Sequence, residues 1–110
     1  MASEAARCEA VVVGSGPAGS AAAAMLAQAG HDVLLIDKAD FPREKPCGDG
    51  VLADASPELT RIGIWEQMRA AGFRQFDGIR IVAEGRQPFV LPLTPEQHDL
   101  SFVAPRTVFD

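Results

Sequence analysis

Between Val11 and Lys38 the sequence reads "VVVGSGPAGSAAAAMLAQAGHDVLLIDK", and this stretch constrains the fold more than any other. Residues 9–13 are short, β-branched and stopped by glycine, which predicts a buried parallel strand. A helix is expected from Pro17, because proline suits the first helical position, where an amide would lack an acceptor anyway. Along it Gly19, Ala22, Ala23, Leu26 and Ala27 recur at helical spacing. That stripe of small residues lets a helix lie close on a sheet. Gly30 then ends the helix as a left-handed cap, and residues 33–37 form a second strand. Strand, glycine turn, helix and strand make a βαβ crossover, so the fold class is α/β with a Rossmann-like start.

Each glycine of the turn has a physical task. Gly14 makes the tight turn, Gly16 lets backbone approach a diphosphate, and Gly19 lets helix and strand pack closely. Pro17 and Ala18 complete the helix start, whose amides and positive dipole end favour an anion. Asp37 follows by roughly the 20 residues at which such a turn expects a carboxylate for ribose hydroxyls. Taken alone, Asp37 reads equally as a solvated strand-end acid. Together these features predict a dinucleotide site, and the carboxylate disfavours NADP by repelling its 2′-phosphate. The turn does not separate FAD from NAD.

A chain of 110 residues holds at most about one domain. With 47% hydrophobic residues it is globular in composition, and a net charge of −5 argues against a nucleic-acid partner. The two cysteines, Cys8 and Cys47, are spaced for neither zinc nor a disulfide framework and read as free thiols. No metal site is expected. No secretion signal is visible, and the alanine run, broken by Pro17 and flanked by glycines, falls short of the ~20 apolar residues of a membrane span. A cytoplasmic location is the expectation.

Residues 38–55 carry three glycine or proline clusters and little periodicity, predicting a long irregular loop of the kind that is usually functional. "SPEL" restarts a helix, with Ser56 as its cap, Pro57 at the first position and Glu58 favouring the dipole. Gly63 kinks or divides that helix before residues 65–71, where Trp65 and Met68 serve core packing. From Phe76 the period becomes two: Ile79 and Ile81 alternate with Arg80, "EGR" turns, and "PFVLPL" returns. Its two prolines place it at an edge, and the pair reads as an antiparallel hairpin of a different sheet. "SFVAPRTVFD" gives a short strand and the start of a helix. His31 and His98 are assigned nothing.

The stretch "GSGPAGS…LAQAGHDVLLIDK…FPREKPCGDGV", with "APRTVFD" downstream, resembles the geranylgeranyl-reductase-like flavoproteins, within the larger group that includes p-hydroxybenzoate hydroxylase. That family carries a G-x-G-P-A-G turn, an acidic strand end, then "FPR-x-K-x-CG" and "PR-x-x-FD". The resemblance covers nearly the whole chain, in order. It implies FAD as cofactor, held by Gly14, Gly16, Pro17, Ala18 and Gly19, with Asp37 at the adenosine ribose and Lys38 beside it. It further implies Arg43 and Lys45 near the cofactor, and Arg106 reaching the flavin from its helix start. Cys47 and Gly48 would lie near the flavin, with Cys47 on the substrate side as the candidate catalytic thiol. From the residues alone, Cys47 reads as a small residue in a tight turn, and Arg43 and Lys45 equally as a solvated basic pair.

The implied activity is an FAD-dependent oxidoreductase reducing carbon–carbon double bonds of prenyl chains. Its partners would be a small-molecule or prenyl-lipid substrate and an external electron donor, with peripheral membrane contact where the substrate is a lipid. The alternatives are a monooxygenase or halogenase on the same fold, or an inactive N-terminal fragment that supplies only the ADP-binding half. An NAD dehydrogenase domain would have no evident use for "FPREKPCGDGV".

The expected organisation is an ADP/FAD-binding βαβ portion with its cofactor loop and helix over 1–75, the start of a β substrate domain over 76–104, and a helix start at 105–110. None of the stretches that carry the resemblance corresponds to the family's middle "DG" motif or its later "GD-A" segment. Two parallel strands are predicted where a Rossmann-like sheet needs roughly three or more. The expectation is therefore an incomplete fold that alone binds flavin weakly or not at all and catalyses nothing without a complementing chain.

Overall fold

The computed structural model describes residues 7–46 and 49–110; Cys47 and Gly48, both expected at the flavin, lie outside the described residues. The chain divides into two units, one formed by residues up to 44 with 107–110, the other by residues 45–106.

In the first unit, Ala10–Val13 (β1) and Val33–Ile36 (β2) pair in parallel, joined by the helix Pro17–Gln28 (α1). This is the expected crossover. Gly30, at φ +92, closes α1: its amide donates to the Ala27 carbonyl and that of His31 to the Leu26 carbonyl. Two otherwise orphaned carbonyls are satisfied in this way.

Two expectations for this unit need correction. The small-residue stripe is narrower than predicted, since Ala23 is buried and Gly19 and Leu26 half-buried while Ala22 and Ala27 are exposed. A helix crossing a two-stranded sheet meets it along one line, and positions 19, 23 and 26 follow that line. Nor is β1 buried. Val11 and Val13 are exposed, Val13 to 80%, as are their register partners Leu34 and Ile36. All four share the sheet face opposite the one that carries α1.

The second unit runs through Gly50–Val51 (β3), a 3-10 turn at Ala53–Ala55, Ser56–Arg61 (α2), Trp65–Ala70 (α3) and Arg74–Gln75 (β4). It continues with Gly78–Ile81 (β5), Phe89–Pro92 (β6), Pro95–Asp99 (α4) and Phe102–Val103 (β7). Arg106–Phe109 (α5) crosses into the first unit. Strand β7 pairs antiparallel with both β3 and β4. Val51, Leu59, Trp65, Met68, Phe102 and Ala104 are buried. Phe102 stacks on Phe73 at 5.6 Å and meets Trp65 at 5.8 Å. Trp65 and Met68 are core residues, as expected. The hairpin also forms as expected, β5 antiparallel to β6, and Gly63 at φ +88 divides α2 from α3.

Residues 38–55 are not irregular throughout, since β3 and the 3-10 turn fall within them. What orders them is distant in sequence: the Asp49 carbonyl accepts the Ala104 amide at 2.7 Å and β3 pairs with β7. Ser56 is not the cap of its helix. The 3-10 turn runs straight into α2, Ala55 is the capping position, and the Ser56 hydroxyl donates to the Ala53 carbonyl at 2.9 Å. Helix α4 was not expected. Among the described residues, no helix is long and apolar enough to cross a membrane.

Candidate functional site

The glycine turn is held at both ends. Gly14 stands at φ +99, which L side chains rarely adopt, and its amide donates to the Ile36 carbonyl at 2.7 Å. A Cβ added at Gly19 would overlap the Gly14 carbonyl oxygen, so helix and turn can close only around a glycine there. Gly16 occupies the capping position of α1 at φ −72, a conformation open to any residue. Its backbone shape therefore does not explain why it is glycine. Among the described residues no side chain caps α1, and its first turn holds no acidic residue. Pro17 and Ala18 are exposed there. The amides of a helix start have no helical acceptor, so this start is open to an anion or to water.

Asp37 follows directly on β2 and is not the solvated acid that its position alone allowed. Its side chain is 9% exposed. One carboxylate oxygen accepts the Ser15 amide at 2.7 Å and the Ser15 hydroxyl at 3.2 Å; the other accepts the Ala39 amide at 2.8 Å. The amides of Ser15 and Ala39, helped by the Ser15 hydroxyl and by Arg43, hold its carboxyl below the ordinary 3.8, at about 2, although desolvation opposes the shift. Ser20 adds a strut, its hydroxyl donating to the Ser15 carbonyl at 2.9 Å. Sequence reasoning passed over Ser15 and Ser20. A serine between two turn glycines is the signal that was available, since its hydroxyl can reach nearby backbone and carboxylates.

Arg43 is not a solvated base either. Its Nε donates to the Asp110 carboxylate at 3.0 Å, and its Nη1 lies 3.9 Å from Asp37. The guanidinium sits 4.9 Å over the Phe41 ring. Lys38 is exposed beside Asp37. The structure thus gathers Gly14, Gly16, Pro17, Ala18, Gly19, Asp37, Lys38 and Arg43 in the first unit. Lys45, exposed, and Arg106, buried at the start of α5, belong to the second. An open groove of about 640 Å³ in the second unit is lined by Phe73, Arg74, Phe76, Asp77, Val103 and Pro105 among others, and by none of the predicted site residues among those described. No cluster of metal-ligating side chains occurs among the described residues.

These residues fit a dinucleotide. The uncapped start of α1 offers amides to a diphosphate, and the Gly14–Gly19 contact leaves no room for a side chain between helix and turn. At the end of β2 a carboxylate stays ionised at any ordinary pH.

The FAD binding domain family matches residues 7–106. Over 106 residues the chain is 42% identical to a menaquinone reductase of Mycolicibacterium smegmatis, covering 94% of this chain and 25% of that protein. A tryptophan 2-halogenase of Chondromyces crocatus is 35% identical over 100 residues, covering 91% of this chain and 19% of the halogenase. Among solved structures, the myxobacterial chondrochloren halogenase, a FAD-dependent halogenase, superposes with a TM-score of 0.77 at 27% identity, over 91% of this chain and 24% of that one. The chain spans a quarter or less of the length of these relatives.

Proposed function

The chain belongs to the FAD binding domain family, its cofactor is FAD, and on that premise we propose that it grips the ADP half of FAD in an oxidoreductase that reduces carbon–carbon double bonds of prenyl chains. The observation that carries the binding half of this reading is the glycine turn tied to an ionised Asp37 beside the uncapped start of α1. When bound, FAD supplies the hydride chemistry. The chain's own residues bind and orient. The amides of Ala18 and Gly19 meet the diphosphate. Asp37 already accepts three hydrogen bonds of the roughly four a carboxylate can take, leaving room for one ribose hydroxyl. By the resemblance, Arg106 reaches the flavin, and Lys38 and Lys45 lend positive charge near the cofactor.

The prenyl reading is supported by the resemblance carried in "FPREKPCGDGV" and "APRTVFD", and by a relative named for menaquinone, a quinone that bears a prenyl chain. On this reading Cys47 is the catalytic thiol on the substrate side, an external donor supplies electrons, and a complementing chain or segment supplies the remaining flavin contacts. The protein works in the cytoplasm, touching a membrane only to reach a lipid substrate.

The halogenases among the relatives favour a second reading, in which reduced flavin meets oxygen instead. Turnover of a prenyl substrate under anaerobic conditions by the protein complete with its remaining flavin contacts, followed by mass spectrometry, separates the two. Product gaining two hydrogens without oxygen supports the reductase; strict dependence on oxygen overturns it. In the same assay Cys47→Ser should slow reduction while flavin stays bound, and unchanged turnover removes the thiol from the chemistry.

A further inference from the structure

Arg43 sits between two carboxylates. Its Nε donates to Asp110 at 3.0 Å, while Nη1 stands at 3.9 Å from Asp37, the residue that holds the Ser15 amide. All three side chains are shielded, Arg43 at 15% exposed, Asp37 at 9% and Asp110 at 1%. Exposed ion pairs contribute little because water screens them, but that discount shrinks in a shielded cluster. A relay therefore runs from Asp110 through Arg43 and Asp37 to the glycine turn. Its ends lie 95 positions apart in sequence, and every member belongs to the first unit.

We propose that Asp110 is a positioning residue of the nucleotide site, holding Arg43 so that Arg43 in turn sets Asp37 and the turn that Asp37 anchors. Asp110 need not touch the nucleotide to govern how tightly it is held. With two carboxylates around one guanidinium, the sites are interdependent. Without Asp110, Arg43 keeps the longer contact to Asp37 and its place over the Phe41 ring. Without Arg43, Asp37 loses a nearby cation and Asp110 loses the Nε donor it accepts from. Lysine does not substitute, because a single ammonium cannot present separate Nε and Nη donors to two partners.

The inference rests on FAD as ligand, and its test uses FAD as the probe. Binding is measured by calorimetry in the protein complete with its remaining flavin contacts, for the wild type, Asp110→Asn, Asp110→Glu, Arg43→Lys and the Asp110→Asn/Arg43→Lys double variant, with thermal melts alongside. Asp110→Asn and Arg43→Lys should each weaken FAD by about tenfold, and the double variant by little more than either, since coupled residues are not additive. Asp110→Glu should recover most of the affinity. Thr94→Ala, which removes the cap of α4 in the second unit, should lower the melting temperature without changing FAD affinity. That separates positioning from loss of stability at large. Wild-type affinity in Asp110→Asn, or losses that multiply in the double variant, overturns the inference. Wild-type protein that takes up no FAD overturns the flavin reading itself and this inference with it.

Discussion

The Ser15 amide donates to the Asp37 carboxylate at 2.7 Å, and that bond makes the acid at the end of β2 part of the glycine turn. On the proposed reading Asp37 has two tasks: it shapes the turn, as its bonds to Ser15 show, and it offers an acceptor to the ribose. Asp37→Ala should weaken FAD by at least about tenfold, because charge-assisted hydrogen bonds are the strong ones. Asp37→Asn should bind little better: its amide nitrogen would face either the Ser15 or the Ala39 amide, donor against donor. Unchanged FAD occupancy after dialysis of either variant contradicts the assignment.

The same carboxylate gives a pH signature. Its value falls on folding from 3.8 to about 2. A group depressed in this way stabilises the fold above its unfolded value and loses that contribution as pH drops through the folded one. The melting-temperature difference between wild type and Asp37→Ala should be constant above about pH 5 and close between about pH 4 and 2. A difference that does not narrow there counts against an ionised, hydrogen-bonded Asp37.

Gly19 and Gly16 should fail differently. A Cβ at Gly19 overlaps the Gly14 carbonyl, so Gly19→Ala should cost the fold about 1–3 kcal/mol, as overpacking does, visible as a lower denaturant midpoint. Gly16 has an ordinary φ, so in the protein complete with its remaining flavin contacts Gly16→Val should stay folded but colourless, its side chain standing where a diphosphate must approach. A folded, yellow Gly16→Val protein removes the phosphate-cradle role.

Ser101 is fully buried, and its hydroxyl has no hydrogen-bond partner among the described residues. An unsatisfied buried hydroxyl costs roughly 1–3 kcal/mol, so Ser101→Ala should melt at the same temperature or higher. A clear loss of stability would show that the hydroxyl has a partner in solution.

The βαβ unit was legible because its signals are local. Valines before Gly14, Pro17 at the helix start and Gly30 at its end each act within a few residues. The hairpin was legible for the same reason, through period two and "EGR". Helix α4 carried an equally local signal that went unread: Thr94 and Gln97 form a reciprocal capping box three residues apart. The rest was not local. Nothing near residue 50 announces that Phe102 and Val103 will pair with β3, and nothing near Arg43 announces Asp110. Burial of β1 was misjudged because a continuous apolar strand does not say how many of its faces meet a partner.

The central claim is that these residues grip the ADP half of FAD. Calorimetric titration of the protein with FAD, ADP, FMN and NADP tests it most directly. The account predicts that ADP binds and competes with FAD, that FMN does not bind, and that NADP binds more weakly than ADP. FMN binding with ADP ignored, or a preference for NADP, would contradict it.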